Sequence, residues 1–144
     1  MDTRAMKPLV HAIISQKKYG GIVEDYMPIH NFFDTSKAAL PDVRHRAVLH
    51  SAFGIFVLER VFGDYITNSD GVKVSVRDLG EEHVLQDMGF IPTVERWFRN
   101  MPIEDWMMGR AKKSSFKRVV DFNSTEEDML ANLNLTIDKR SVID

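Results

Sequence analysis

The sequence predicts a mainly α protein, with about five helices around a central buried helix at residues 42–62 and one short β-hairpin at 65–77. Three observations carry that expectation. Apolar residues recur at helical spacing over most of the first hundred positions. The stretch "DVRHRAVLHSAFGIFVLERVFG" is apolar on several faces, which is normal for the central helix of a domain. "YITNSDGVKVSVRDL" alone changes to a two-residue period, with Val72, Val74 and Val76 alternating with Lys73 and Ser75 beside the turn-forming "NSDG".

Taken in order, residues 4–18 place Met6, Leu9, Val10, Ile13 and Ile14 at helical spacing and end on Lys17, Lys18 and the Gly20-Gly21 break. A second helix at 28–39 opens on Pro28, which suits a first helical turn, and its stripe is Ile29, Phe32, Phe33 and Leu40. Pro41 punctuates the chain, and Asp42 can cap the third helix. On that helix Leu49, Ala52 and Phe56 line one side, and Val57 and Val61 another. Gly54 permits a close backbone approach and Gly63 supplies a stop. Helices at 78–88 and 92–100 follow the hairpin, the latter with Thr93 as its cap and Val94, Trp97 and Phe98 as its anchors.

The expected organisation is a helical core domain at 1–100 and a C-terminal appendage at 101–144. The appendage carries a basic run at 110–118 and a capping box, Ser124 with Glu127, for a helix at 125–133. A chain of 144 residues can bury a core without a metal or disulfide to hold it. It has no cysteine, which excludes thiol catalysis and leaves His, Asp and Glu as the metal ligands. A net charge of −2 gives no global attraction to nucleic acid or membrane. No run approaches the ~18 apolar residues of a transmembrane helix. His11, Lys17 and Lys18 interrupt the N-terminal apolar stretch in a way a signal peptide does not, so a cytoplasmic protein is expected.

All five histidines, at 11, 30, 45, 50 and 83, fall in the first 83 residues. Two share a spacing: "HNFFD" places His30 with Asp34, and "HVLQD" places His83 with Asp87. Positions four apart stack on one helical face, where an imidazole and a carboxylate can hold one divalent ion, or the acid can orient the histidine. His83 and Asp87 lie away from Val84, Leu85 and Met88, and their plain reading is an exposed face. On a straight helix His45 and His50 point about 140° apart and fail as a pair. His45 can instead meet His30 and Asp34 across the short Pro41 connection. Glu59 sits fourteen residues from His45, about 21 Å along such a helix, and fits a structural ion pair with Arg60, Arg77 or a neighbouring chain's Arg44.

Other chemistries lack their motifs: there is no Walker loop, GxSxG elbow or HExxH. The run at 110–118, with Phe116 interleaved, can track phosphates, although such runs are usually solvated faces.

The patterns PIHxxFD, DxRHRxxxH, NSDG and GExHVxxDxGxIP are carried by His30, Asp34, Asp42, His45, His50, Asp70, Glu81, His83, Asp87 and Pro92. On these, residues 8–98 resemble a small family of unknown function found in phage and bacterial genomes. That resemblance implies a phage setting, hence host cytoplasm, and transfers no catalytic residue. Two classes of function stay open. In one, the protein binds a divalent metal and can be a hydrolase, with His30, Asp34, His45, His83 and Asp87 as ligands and His50 or Glu81 as a base. In the other, it is a non-catalytic module that meets a host or phage protein through residues 101–144, and its polar markers are buried hydrogen-bond networks.

Overall fold

The structure, a computed structural model, describes residues 7–109 of the chain. The chain divides into two units, Met1–Met101 and Pro102–Asp144. In the second, the described residues form one 3₁₀ turn, Asp105–Met108; the basic run at 110–118 and the helix expected at 125–133 lie outside the described residues. The first unit is mainly helical with a single two-stranded hairpin, as the periodicity predicts. None of the helices among the described residues is long and apolar enough to cross a membrane.

Helix α1, Pro8–Tyr19, starts on a proline and stops at Gly20, whose φ of +87° is open to glycine and strained for other residues. Its buried face is His11, Ala12 and Ser15, while Leu9, Val10 and Ile14 are exposed. The aliphatic stripe that marks α1 in the sequence therefore faces outward, and the polar residues between face in. Helix α2, Met27–Phe33, buries Ile29, His30 and Phe33. It is shorter than expected, because the Thr35 hydroxyl donates to the Phe32 carbonyl at 2.7 Å and the chain tightens into a 3₁₀ turn, Thr35–Ala38.

The expected helix over 42–62 is broken. Asp42 accepts from the Arg44 amide and caps a 3₁₀ turn, Val43–His45, which runs into one turn of helix, α3, Arg46–Leu49. The chain then extends through His50 and Ser51 before α4, Ala52–Phe62. Ser51 causes the restart: its hydroxyl accepts the Gly54 amide at 3.0 Å. The backbone groups freed by the break find partners on the 92–97 segment. The Ala52 amide donates to the Pro92 carbonyl at 2.9 Å, and Trp97 Nε1 donates to the His50 carbonyl at 2.8 Å. Gly54 is needed here, since a β-carbon on it would lie 1.7 Å from the Leu49 carbonyl oxygen.

Strands β1, Tyr65–Thr67, and β2, Lys73–Ser75, pair antiparallel with Ile66 opposite Val74. Asn68 closes their turn by accepting the Asp70 and Val72 amides at 2.9 and 3.0 Å. The Ser75 hydroxyl caps α5, Val76–Met88, which ends in a left-handed Gly89. Gly80 lets α5 lie close on α4: a β-carbon there would come within 2.8 Å of Leu58 Cδ2. Thr93 caps α6, Val94–Phe98, as its position predicts. Tyr26, Ile29, Phe33, Leu58, Val74, Val76, Leu79 and Val84 make the apolar core. Phe56 and Val61, expected to be buried on the central helix, are instead half exposed. Glu59 pairs with Arg77 at 3.4 Å.

Gly54→Ala is expected to destabilise the domain by about 3 kcal/mol or more, because the added β-carbon would meet Leu49 backbone atoms and not the movable end of a side chain. Urea unfolding midpoints of the two proteins check this.

Candidate metal centre

All five histidine side chains are buried. They come from four places, with His11 on α1, His30 on α2 and His83 in the middle of α5. His45 and His50 bracket the short α3. The break after α3 brings the rings of His45 and His50 within 6.1 Å, which a straight helix would not allow. The rings of His11, His30 and His83 lie stacked, with His11 and His83 centroids 3.9 Å apart and Phe33 covering His83 at 4.2 Å.

The pair His83 and Asp87, read from sequence as an exposed face, is fully inside. The Asp87 side chain is 2% exposed. The reason is that α5 turns Leu85 outward and packs Leu79, His83 and Val84 inward. Asp87 Oδ1 lies 3.1 Å from His11 Nε2, and Oδ2 lies 2.9 Å from His50 Nε2. Burial opposes charge on Asp87, but the hydrogen bonds from His11 and His50 outweigh it and hold the carboxyl well below the usual carboxylate range. An ionised carboxylate only accepts, so both facing nitrogens carry hydrogens. His83 Nε2 also comes within 3.3 Å of Asp87 Oδ2, but without the direction of a hydrogen bond. Arg46 completes the surround, 3.9 Å from Asp87 Oδ1.

The second acid, Asp34, sits at the end of α2. Its Oδ1 is 3.5 Å from His45 Nε2 and its Oδ2 is 3.4 Å from Lys37 Nζ. His45 is held from behind by its Nδ1, which donates to the Asp42 carbonyl at 2.7 Å. His30 Nε2 meets the Ser15 hydroxyl at 2.8 Å, and its Nδ1 meets His83 Nδ1 at 2.9 Å. Burial, followed by the neighbouring His83 and His11, lowers the pKa of His30 to about 3. Burial lowers His83 to about 4 and also pushes His50 down, in each case against the pull of Asp87. All three rings are therefore neutral near pH 7, the state in which an imidazole can ligate a metal.

Two sets of residues each bring one ligand atom apiece within 4.8 Å of one another and could hold an ion: His11, His30 and His83, and Asp34, His50 and His83. They differ in what their atoms already do. In the first set both nitrogens of His11 and both of His30 are engaged, with Gln86, Asp87, Ser15 and His83. In the second, each member has one buried atom with no hydrogen-bond partner: Asp34 Oδ2, His50 Nδ1 and His83 Nε2. Those are the only such side-chain atoms among the described residues.

The sequence-predicted residues Asp34, His45, His50, His83, Asp87 and His30 are thus neighbours, while Glu81 is half-buried on α5 and belongs to neither set. The residues missed were His11, Ser15 and Gln86. The available signal was the four-residue spacing of His11 and Ser15, set among the aliphatic positions of α1.

Asp87→Ala would leave the buried N–H groups of His11 and His50 without an acceptor, and is expected to cost about 3–5 kcal/mol. Chemical denaturation of apo protein measures it.

No curated protein and no solved structure matches this chain. Residues 6–107 match the family described as a domain of unknown function (DUF6915), and the chain belongs to that family.

Proposed function

We propose that the protein is a divalent-metal-binding domain whose ion is held by Asp34, His50 and His83. One observation carries this reading: the three buried polar atoms that lack a hydrogen-bond partner belong to the three residues that can converge on one ion. Unsatisfied buried polar groups cost about 1–3 kcal/mol each, so a fold that keeps three together is explained by a ligand that satisfies all of them. Two imidazoles and a carboxylate suit Zn²⁺, Mn²⁺, Fe²⁺ or Co²⁺, and the absence of thiolate disfavours softer ions. His45, with Nε2 facing Asp34, is the candidate fourth ligand. Asp87 is then an outer partner that fixes His50, and His50 is a ligand rather than a base. With His45 outside the ligand set, the three protein ligands would leave a position open, and an ion so held would supply the Lewis acidity of metal-assisted hydrolysis.

A second reading, a non-catalytic interaction module for a host or phage protein, has one observation in its favour. Phe53 and Phe56 stand half exposed on the outer side of α4, with ring centroids 6.3 Å apart. Under that reading the polar interior only specifies the fold, and metal changes nothing.

The melting temperature of chelated protein, with and without Zn²⁺ or Mn²⁺, separates the two. At a free metal concentration of about a hundred times Kd, binding adds about 2.7 kcal/mol, which for a domain of this size raises Tm by about 10 °C or more. Asp34→Asn is expected to abolish that shift while lowering the apo Tm only slightly, since what it removes from apo protein is the long ion pairs to Lys37 and His45. Absence of any metal-dependent shift in the natural sequence would overturn the metal reading.

A further inference from the structure

The hydrogen bonds behind His83 run in one direction, and that direction decides which of its nitrogens is bare. The Ser15 hydroxyl has a single proton and donates it to the carbonyl of His11, one turn back on α1, at 3.1 Å. Towards His30 Nε2, at 2.8 Å, Ser15 can therefore only accept, so that nitrogen carries the hydrogen. A neutral ring protonated at Nε2 presents a lone pair at Nδ1, and His30 Nδ1 lies 2.9 Å from His83 Nδ1. Two bare nitrogens would repel there, so His83 Nδ1 donates. One hydrogen on a neutral His83 is thereby used, and its Nε2 is left bare. That is the atom without a hydrogen-bond partner; its nearest acceptor, Asp87 Oδ2 at 3.3 Å, lies out of line with an N–H at that position.

From this we propose that Ser15 and His30 are positioning residues: the chain from the His11 carbonyl through Ser15 and His30 locks His83 in its Nδ1–H tautomer and aims the Nε2 lone pair at the metal. The proposal rests on the metal reading for its purpose, but the tautomer it assigns exists with or without an ion. It also assigns His30 a role other than ligand. On the opposite side Asp87 does the complementary work. By accepting from His50 Nε2 it leaves His50 Nδ1 bare. The two histidine ligands thus offer opposite ring nitrogens, each fixed from behind by a different helix. Ser15 is 2% exposed and His30 is fully buried, so water cannot substitute for either link.

The first test is the ring ¹⁵N spectrum of full-length apo protein near pH 7.5, using long-range ¹H–¹⁵N correlation. The expected result is a pyridine-like Nε2 and a protonated Nδ1 on His83, with the reverse arrangement on His50. A proton on His83 Nε2 overturns the proposal outright, whether or not any metal binds and whether or not a variant folds. The second test measures Zn²⁺ affinity by competition with a chromophoric chelator. Ser15→Ala should weaken binding about 10- to 100-fold, the range found when partners behind a ligating histidine are lost, and Ser15→Thr, which keeps the hydroxyl, should restore it. Affinity in Ser15→Ala within twofold of the natural protein would show that the chain does not position His83. If the natural protein binds no Zn²⁺ at all, the metal reading fails separately, and the ring spectrum still decides the tautomer.

Discussion

The Asp87 carboxylate accepts hydrogen bonds from two imidazoles where almost no solvent reaches, and much of the fold is arranged to make that possible. A buried carboxylate is stable only when fully paired. Its partners come from α1 and from the chain break after α3, so three separate segments must dock before its charge is compensated. The acid therefore acts as a specificity device. A misregistered α1, or a helix running unbroken through residue 50, would leave it exposed to an apolar interior with nothing to offer. The break at His50 and Ser51 carries its own demands, met by the Ser51 cap, by Gly54, and by the backbone and indole partners on the 92–97 segment.

Around this satisfied pole lies an unsatisfied one. Every nitrogen of His11 and His30 is engaged, whereas Asp34, His50 and His83 each hold one atom in reserve. The contrast separates two roles for the same residue type a few ångströms apart. Some histidines spend both nitrogens on holding the architecture, and others spend one and keep one. This cluster is unlike a group of surface acids, because its partnerless atoms lie at the end of oriented hydrogen bonds. Neutral rings depressed by burial add to this, since no proton has to be displaced from them near pH 7.

Much of the fold was legible in the sequence, and the reasons for the remainder are physical. Helical periodicity, Pro28, Asp42, Thr93 and the NSDG turn located the elements, because each acts over a few neighbouring residues. What periodicity could not supply was which side of a helix faces in. On α1 the interior side is lined by His11, Ala12 and Ser15, so the rule that apolar means inside pointed the wrong way, while on α5 His83 shares the interior side with Leu79 and Val84. The break at residue 50 was hidden because "HSAFG" suits a continuing helix as well as a serine-capped restart. The two HxxxD pairs were visible as a spacing. That they meet through His50 and not through one straight helix needed the tertiary arrangement.

The inward-facing polar side of α1 also bears on how the protein responds to temperature. Unfolding exposes five imidazoles together with the surrounding hydrocarbon, and hydrating polar surface lowers the heat capacity while hydrating apolar surface raises it. The two contributions offset each other more here than in a core built of aliphatic side chains, while Leu9, Val10 and Ile14 already meet solvent in the folded state. The heat-capacity change therefore falls below that of an ordinary domain of this size. Its stability curve is correspondingly flat and broad in temperature.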